Sequence, residues 1–262
     1  MKTLAVGARR HPAARHALRL GALLLLCGLA LQGAFAARIA LMAVLAPQST
    51  AFQRSEAWRL LVEQHRNTWS QDSVDGSRLS RNLLRAVIAS EDAGFIDHKG
   101  IEWEAIEKAW QKNQQAELRV QAVSAKAGAA ARAGRPAPAP KVVGGSTITQ
   151  QLAKNLFLSG ERTAARKAQE ALLTLMLEVA LSKERILTIY LNNVEWGEGV
   201  FGAQAAARHY FRIDAARLGP EQAARLAVML PAPKRFEKNP GSAYVAARAA
   251  TIVARMGAVA LP

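Results

Sequence analysis

Glu91 has the surroundings that a general base requires. An apolar helical pattern from Leu79 to Ile88 precedes it, so we predict that Glu91 ends a helix, with Phe95 close behind. Apolar neighbours raise the pKa of a carboxyl group toward the range in which it can accept a proton near neutral pH. An acidic pair such as Glu91–Asp92 after a helix is also commonly a solvated cap, and on this segment alone both interpretations stay open.

The same segment continues to His98 and Gly100. We expect these two residues to fix the turn that aims Glu91 and Asp92, because a glycine permits a tight turn and an imidazole can hydrogen-bond a carboxylate. The plainer alternative is that His98 only stabilises its own loop.

A second carboxylate, Glu170, lies in a narrow polar stripe on an otherwise apolar helix. Arg166, Glu170, Thr174 and Glu178 recur every four residues, whereas residues 171–181 are almost entirely apolar, which predicts a helix buried nearly all round. A buried carboxylate is costly unless it is paired, so Glu170 should face a cation, a water-filled cleft or both. A structural Arg166–Glu170 ion pair is an equally good interpretation.

Residues 144–155 form a glycine-led array of hydroxyls and amides. Thr147 and Gln150 have the spacing of a capping box, which predicts a helix that begins there. A helix amino terminus entered through two glycines suits a phosphate, because free N–H groups and the helix dipole favour an anion. An ordinary capped surface helix is the alternative, although hydroxyls and amides are poor choices for an exposed helix.

The rest of the sequence predicts a mostly α fold without repeats. No stretch alternates with the period of a strand over a useful length, and residues 114–141, rich in alanine and proline, indicate a mobile insertion. Residues 47–78 form a connecting segment to which we assign no element. The predicted helices after Gly100 cover residues 101–112, 147–158, 164–181, 183–192, 202–211, 220–230 and 242–257.

The amino terminus has the pattern of a membrane anchor. Residues 1–19 are basic without any acid, and Leu20–Ala37 is a run of eighteen residues in which only Gln32 is polar, so we place the anchor at residues 20–46. A cleaved signal peptide is the alternative, but the apolar run exceeds the ~7 to 15 residues of a signal core. The positive-inside rule predicts a cytoplasmic amino terminus and a periplasmic domain, in a single-pass inner-membrane protein.

Charge and cysteine usage support this placement. The formal net charge is +15, of which residues 1–46 contribute six cations and no acid, so the remainder carries +9. Outside the inner membrane nucleic acid is not an expected partner, whereas anionic lipid headgroups and a diphosphate-bearing substrate account for the charge. The single cysteine, Cys27, lies in the apolar run, so the domain has no disulfide to form.

These segments in this order, together with Ser182–Asn193, Gly197 and Gly199–Ala207, resemble the family 51 glycosyltransferases over residues 79–257. The family polymerises the glycan strands of bacterial peptidoglycan from a lipid-linked precursor. The resemblance implies a lysozyme-like head with a smaller membrane-proximal jaw, in a transglycosylase domain spanning residues 79–262 and preceded by one transmembrane helix. The sequence contains no Ser-x-x-Lys, so the transpeptidase activity of the bifunctional branch is not expected.

The resemblance also implies a role for each matching residue. Glu91 would be the general base that takes the proton from the acceptor 4-hydroxyl, and Glu170 would be the second carboxylate, on the donor side. Substrate binding would involve Asp92, His98, Ser146, Thr147, Gln150, Gln151, Lys154, Asn155, Arg162, Arg166 and Lys167, with the cations near the diphosphate.

The implied partners are lipid II, the growing glycan strand, inner-membrane lipids and other cell wall synthesis proteins. Some members of the family are thought to use a divalent cation, Mg²⁺ or Mn²⁺, although the sequence has no dedicated metal cage.

Two other functions fit parts of the pattern. A lysozyme-like hydrolase also uses two carboxylates across a cleft, but a neutral sugar leaving group needs no cations such as Lys154 and Arg166. A membrane-tethered scaffold of wall synthesis would leave the polar stripes without a role. Release of soluble fragments from cell wall sacculi would favour the hydrolase.

Overall fold

Helix α1 (Pro12–Leu41) contains a stretch, Arg15–Leu41, that is long and apolar enough to cross a membrane. A signal sequence would pass the same test, so α1 is a candidate anchor. The computed structural model describes residues 12–66, 68–104, 107, 111, 114–115, 145–161 and 163–262, and the chain divides into two compact units after Leu45.

The second unit, from Ala46 onward, is mostly helical, as predicted. Its described helices are α2 (Ala51–Trp58), α3 (Arg81–Glu91), α4 (Ile148–Phe157), α5 (Ala164–Ala180), α6 (Lys183–Asn193), α7 (Ala203–Phe211), α8 (Pro220–Met229), α9 (Pro233–Phe236) and α10 (Ala243–Met256). Short 3₁₀ turns lie at Gly76–Arg78 and Ala215–Arg217.

The predicted helices from residue 147 onward are confirmed to within two residues at their ends. Hydroxyl caps explain why several begin where they do: Ser80, Thr147, Thr163, Ser182 and Ser242 each accept a hydrogen bond from a backbone N–H in the first turn. The predicted helix over 101–112 and the insertion over 114–141 lie largely outside the described residues.

The connecting segment 47–78 is more structured than the sequence indicated. It contains α2, which continues into a π-helical turn at Arg59–Glu63. Thr50 and Gln53 cap α2 reciprocally, and the Gln53 side chain also donates to the backbone oxygen of Asn193 at 3.3 Å. The signal was missed because eight residues are too few for a helical period to stand out.

A small sheet, also not predicted, joins this segment to the domain. Its strands are β1 (Ser70–Gln71), β2 (Glu195–Gly197) and β3 (Val200–Phe201), in the order β1-β3-β2, with β1 parallel and β2 antiparallel to β3. Strands of two or three residues cannot display the alternation on which prediction depends.

The hydrophobic core fixes the end of α3 and the start of α4, the two helix ends that form the site. Helices α3, α8 and α10 pack together around buried side chains such as Leu83 and Val87, while α4 packs against α2, α5 and α6. The prediction that α5 is buried nearly all round is wrong. Leu172, Leu175 and Val179 are 39%, 46% and 89% exposed, because only the side of α5 that carries Leu173 and Leu177 faces the core.

Candidate active site

Glu91 is the last residue of α3 and lies in partly desolvated surroundings. Its Oε2 accepts a hydrogen bond from Nε2 of Gln151 at 2.9 Å. Burial raises the pKa of Glu91 and the neighbouring charge of Asp92 raises it further, while the Gln151 donor opposes both effects. A carboxylate with a raised pKa is suited to accept a proton from a hydroxyl group.

Asp92 is buried and fixes the loop after α3. Its Oδ1 lies 2.8 Å from Nε2 of His98, and its Oδ2 accepts from the backbone N–H of Ile148 at 2.9 Å. The backbone N–H of Gly100 donates to Nδ1 of His98 at 3.0 Å, so the other ring nitrogen, Nε2, is the one that donates to Asp92. Asp92 thereby ties this loop to the first residue of α4.

The start of α4 is closed by the predicted capping box. Thr147 and Gln150 satisfy each other's backbone N–H groups, and the Thr147 hydroxyl also donates to the carbonyl oxygen of Gly100 at 2.6 Å. Gly100 has φ +85, and a Cβ there would lie 2.7 Å from Cγ2 of Thr174. Only glycine fits this close approach without strain.

Glu170 is 3% exposed, and cations surround it as the sequence predicted. Its Oε2 accepts from Nη1 of Arg166 at 2.9 Å, and its Oε1 pairs with Nζ of Lys167. Buried carboxylates stay ionised when they are paired and hydrogen-bonded in this way. The two ion pairs join two cations and one acid, so this part of α5 keeps an excess positive charge.

A cavity of about 330 Å³ lies between α4 and α5. Its wall brings most of the predicted substrate-binding residues together: Ser146, Gln150, Gln151, Lys154 and Asn155 from α4 and the turn before it, and Arg166, Lys167 and Glu170 from α5. Thr147, Asp92 and His98 are engaged in the hydrogen bonds that shape the site. Arg162 lies outside the described residues.

Lys154 adds a cation whose protonation is sensitive to its surroundings. Desolvation of its ammonium group in the cleft lowers the pKa of Lys154, and the charges of Arg166 and Lys167 lower it further, while Glu170 raises it. A cluster of cations around one carboxylate creates a site for an anion with more than one negative charge.

Sequence reasoning missed three residues that shape the site. Tyr190 in α6 donates from its hydroxyl to Oε1 of Gln151 at 2.8 Å, and Phe52 of α2 lines the cavity. Lys183 in α6 donates to the carbonyl oxygen of His98 at 2.7 Å. The available signal was a tyrosine in an apolar helix, since a buried phenol needs a hydrogen-bond partner.

A polar cluster around Glu178 connects helix α5 to α4 and to the loop after α3. Glu178 accepts from the hydroxyl of Thr149 at 2.6 Å and from Nζ of Lys183 at 2.8 Å. The Lys183 ammonium also lies over the ring of Phe95, 4.6 Å from its centroid. Glu178, the last residue of the polar stripe on α5, therefore helps to fix the positions of α4 and of the loop after α3.

The described residues do not fit a dedicated divalent metal site. Asp92, His98 and Glu102 form the group of acidic and imidazole side chains in these ranges that is close enough to hold an ion. Both oxygens of Asp92 are already hydrogen-bonded, and Glu170 is already paired with two cations.

Comparison with known proteins identifies the chain's relatives. The family model described as Transglycosylase matches residues 59–125 and 120–257. A curated protein of Burkholderia pseudomallei (strain K96243), named biosynthetic peptidoglycan transglycosylase, is 49% identical over 255 residues, covering 97% of this chain and 91% of its own length. A protein of the same name from Paraburkholderia phytofirmans (strain DSM 17436 / LMG 22146 / PsJN) is 46% identical over 243 residues, covering 93% and 92%.

Proposed function

This chain belongs to the transglycosylase family, and we propose that it is a peptidoglycan glycosyltransferase that polymerises glycan strands from lipid II in cell wall synthesis. The family has a lysozyme-like fold, which agrees with the mostly helical domain. The observation that carries the proposal is the hydrogen bond between the partly buried Glu91 and Gln151, because Gln151 lines the same cavity as Glu170 and several cations.

In this proposal Glu91 starts the reaction. Its carboxylate takes the proton of the acceptor 4-hydroxyl as that oxygen attacks the anomeric carbon of the donor, so that a β-1,4 bond forms with inversion. The raised pKa of Glu91 supports this role, because a stronger base removes a hydroxyl proton more readily.

The leaving group is a lipid diphosphate, and the other side of the cleft suits it. Lys154, Arg166 and Lys167 line the cavity beside Glu170 and supply positive charge where the bond to the diphosphate breaks. Glu170 keeps Arg166 and Lys167 in place through its two ion pairs. Thr147 and Gln150 act indirectly, because their side chains hold the start of α4.

The proposed setting is the bacterial inner membrane, with α1 as the single anchor, a cytoplasmic amino terminus and the domain on the periplasmic side. The basic residues before α1 support this orientation. The π-helical turn and the end of α2 also expose Trp58 and Leu61, 66% and 62% accessible, and we assign this surface to lipid contact. Tryptophan favours the boundary between headgroups and acyl chains.

Incubation of the purified full-length protein with lipid II in detergent or vesicles tests the function. The proposal predicts long, lysozyme-sensitive glycan chains and release of undecaprenyl diphosphate. Isolated sacculi provide the opposing assay: release of soluble fragments from sacculi, without polymer from lipid II, would show a hydrolase instead. Absence of both products would reject an enzymatic role.

A further inference from the structure

Tyr190 is a buried phenol next to the site, and it takes no direct part in the proposed reaction. It is 1% exposed and lies in α6, whereas Glu91 ends α3 and Gln151 lies in α4. The Tyr190 hydroxyl donates to Oε1 of Gln151 at 2.8 Å, and Nε2 of Gln151 donates to Oε2 of Glu91 at 2.9 Å. Three helices therefore contribute to one chain of hydrogen bonds that ends on the proposed base.

The direction of this chain follows from the chemistry of its members. An amide has one acceptor end and one donor end, and an ionised carboxylate can only accept. If the Gln151 amide were reversed, its oxygen would face the Glu91 carboxylate, and two acceptors would be opposed. Burial, with the charges of Glu91 and Asp92, raises the pKa of Tyr190 well above its usual value, so its hydroxyl keeps the proton that it donates.

We propose that Tyr190 is a positioning residue for the general base: its hydroxyl holds the Gln151 amide in the one orientation that donates to ionised Glu91. This inference rests on the proposed function, in which Glu91 accepts the proton of the acceptor sugar. Gln151 then has a second role besides lining the cavity, since it supports the reactive carboxylate directly.

The other groups that face Glu91 do not replace this donor. Asp92, on the loop after α3, raises the pKa of Glu91 through its charge, and its own oxygens are bound to His98 and to the backbone of Ile148. Gln151 from α4 is the group among the described residues that lowers the pKa of Glu91. If the Gln151 amide loses this orientation, burial and the charge of Asp92 raise the pKa of Glu91 without an opposing donor.

The test is the pH dependence of kcat/KM for Tyr190→Phe, measured with the full-length protein and lipid II. Glu91 must be ionised to act, so the acid limb of the profile follows its pKa. Loss of the Gln151 donor raises that pKa and displaces the acid limb to higher pH. We expect about a tenfold loss near neutral pH, from one hydrogen bond to a charged group. The deficit should shrink as pH rises, since alkali ionises Glu91 without help from Gln151.

Tyr210→Phe is the matched control, because the Tyr210 hydroxyl also makes one hydrogen bond, to the carbonyl oxygen of Trp196 at 2.9 Å, away from Glu91. Its acid limb should coincide with that of the wild type. A Tyr190→Phe profile that is unchanged, or lowered by a constant factor at every pH, would overturn the inference. Wild-type protein inactive on lipid II would instead reject the proposed function itself.

A second variant keeps the test decisive where Tyr190→Phe does not fold. Gln151→Leu removes the same donor to Glu91 from the other end of the chain, and it should displace the acid limb in the same direction. Where both variants fold, Tyr190→Phe should add no further displacement in the Gln151→Leu background. A further displacement there would show that Tyr190 acts on Glu91 by another route.

Discussion

Gln151 donates its side-chain Nε2 to Oε2 of Glu91 at 2.9 Å, although the two residues are 60 positions apart. Gln151 also lines the cavity that contains Glu170. The residue thus connects the end of α3, where we place proton removal, with the wall of cations, where we place the departing diphosphate. In the proposed reaction, α4 therefore links the base to the cations that receive the leaving group.

Lys154 should set the alkaline limit of activity. Desolvation lowers the pKa of Lys154, so its positive charge is lost at lower pH than that of an ordinary lysine. In Lys154→Arg the charge persists, and we expect the alkaline limb of kcat/KM to shift to higher pH. Lys154→Met should lose about tenfold or more at pH values where the wild-type lysine is charged, and this deficit should shrink on the alkaline side. Identical alkaline limbs in the wild type and Lys154→Arg would contradict this role.

Asp92 should matter for stability as well as for activity. Asp92→Asn keeps one acceptor oxygen but turns an amide N–H₂ toward His98 or toward the backbone N–H of Ile148, where a donor now faces a donor. We expect a loss of about 1 to 3 kcal/mol in the free energy of unfolding, measured by denaturant titration. Asp97→Asn, on the exposed part of the same loop, should be close to neutral; equal losses in both variants would refute the assignment.

The sequence predicted this region well where local chemistry decides the structure. The capping box at Thr147 and Gln150 and the end of α3 at Glu91 depend on neighbouring residues, and both are confirmed. The partner of Glu91 was not predictable, because Gln151 could serve the substrate or the base until the position of Tyr190 was known. The exposed face of α5 was also missed, since an apolar sequence does not show which of its sides a neighbour covers.

Glu195, in β2, should make the protein less stable as pH rises. Burial raises the pKa of Glu195 to about 7 from its usual 4.5, and Glu56 raises it too, although Lys234 opposes both. At pH values between 4.5 and about 7, the unfolded chain has lost the proton that the folded chain keeps. The free energy of unfolding therefore falls as pH increases through this range.

Glu195→Gln removes this titration. Its free energy of unfolding relative to the wild type should therefore improve by about 1 to 3 kcal/mol between pH 5 and pH 8 in denaturant titrations. Glu221→Gln, on the exposed first turn of α8, is the control and should show no such trend. A difference between Glu195→Gln and the wild type that is constant with pH would contradict the expected ionisation.

The proposed lipid contact of Trp58 can be tested by fluorescence. In vesicles with brominated acyl chains, Trp58→Phe should lower the quenched fraction of tryptophan emission, because an interfacial indole contacts the bromine atoms. Trp196→Phe should raise that fraction, since Trp196 is buried in the core and contributes unquenched light. A quenched fraction that Trp58→Phe leaves unchanged would place Trp58 in water.

The most direct test of the whole account is polymerisation of lipid II by Glu91→Gln beside the wild type. Glutamine keeps the size of the side chain and its contact with Gln151 but cannot take a proton, so kcat should fall by about 10² to 10⁴-fold. Glu221→Gln should polymerise at the wild-type rate. Glu91→Gln that polymerises as fast as the wild type would show that Glu91 is not the base.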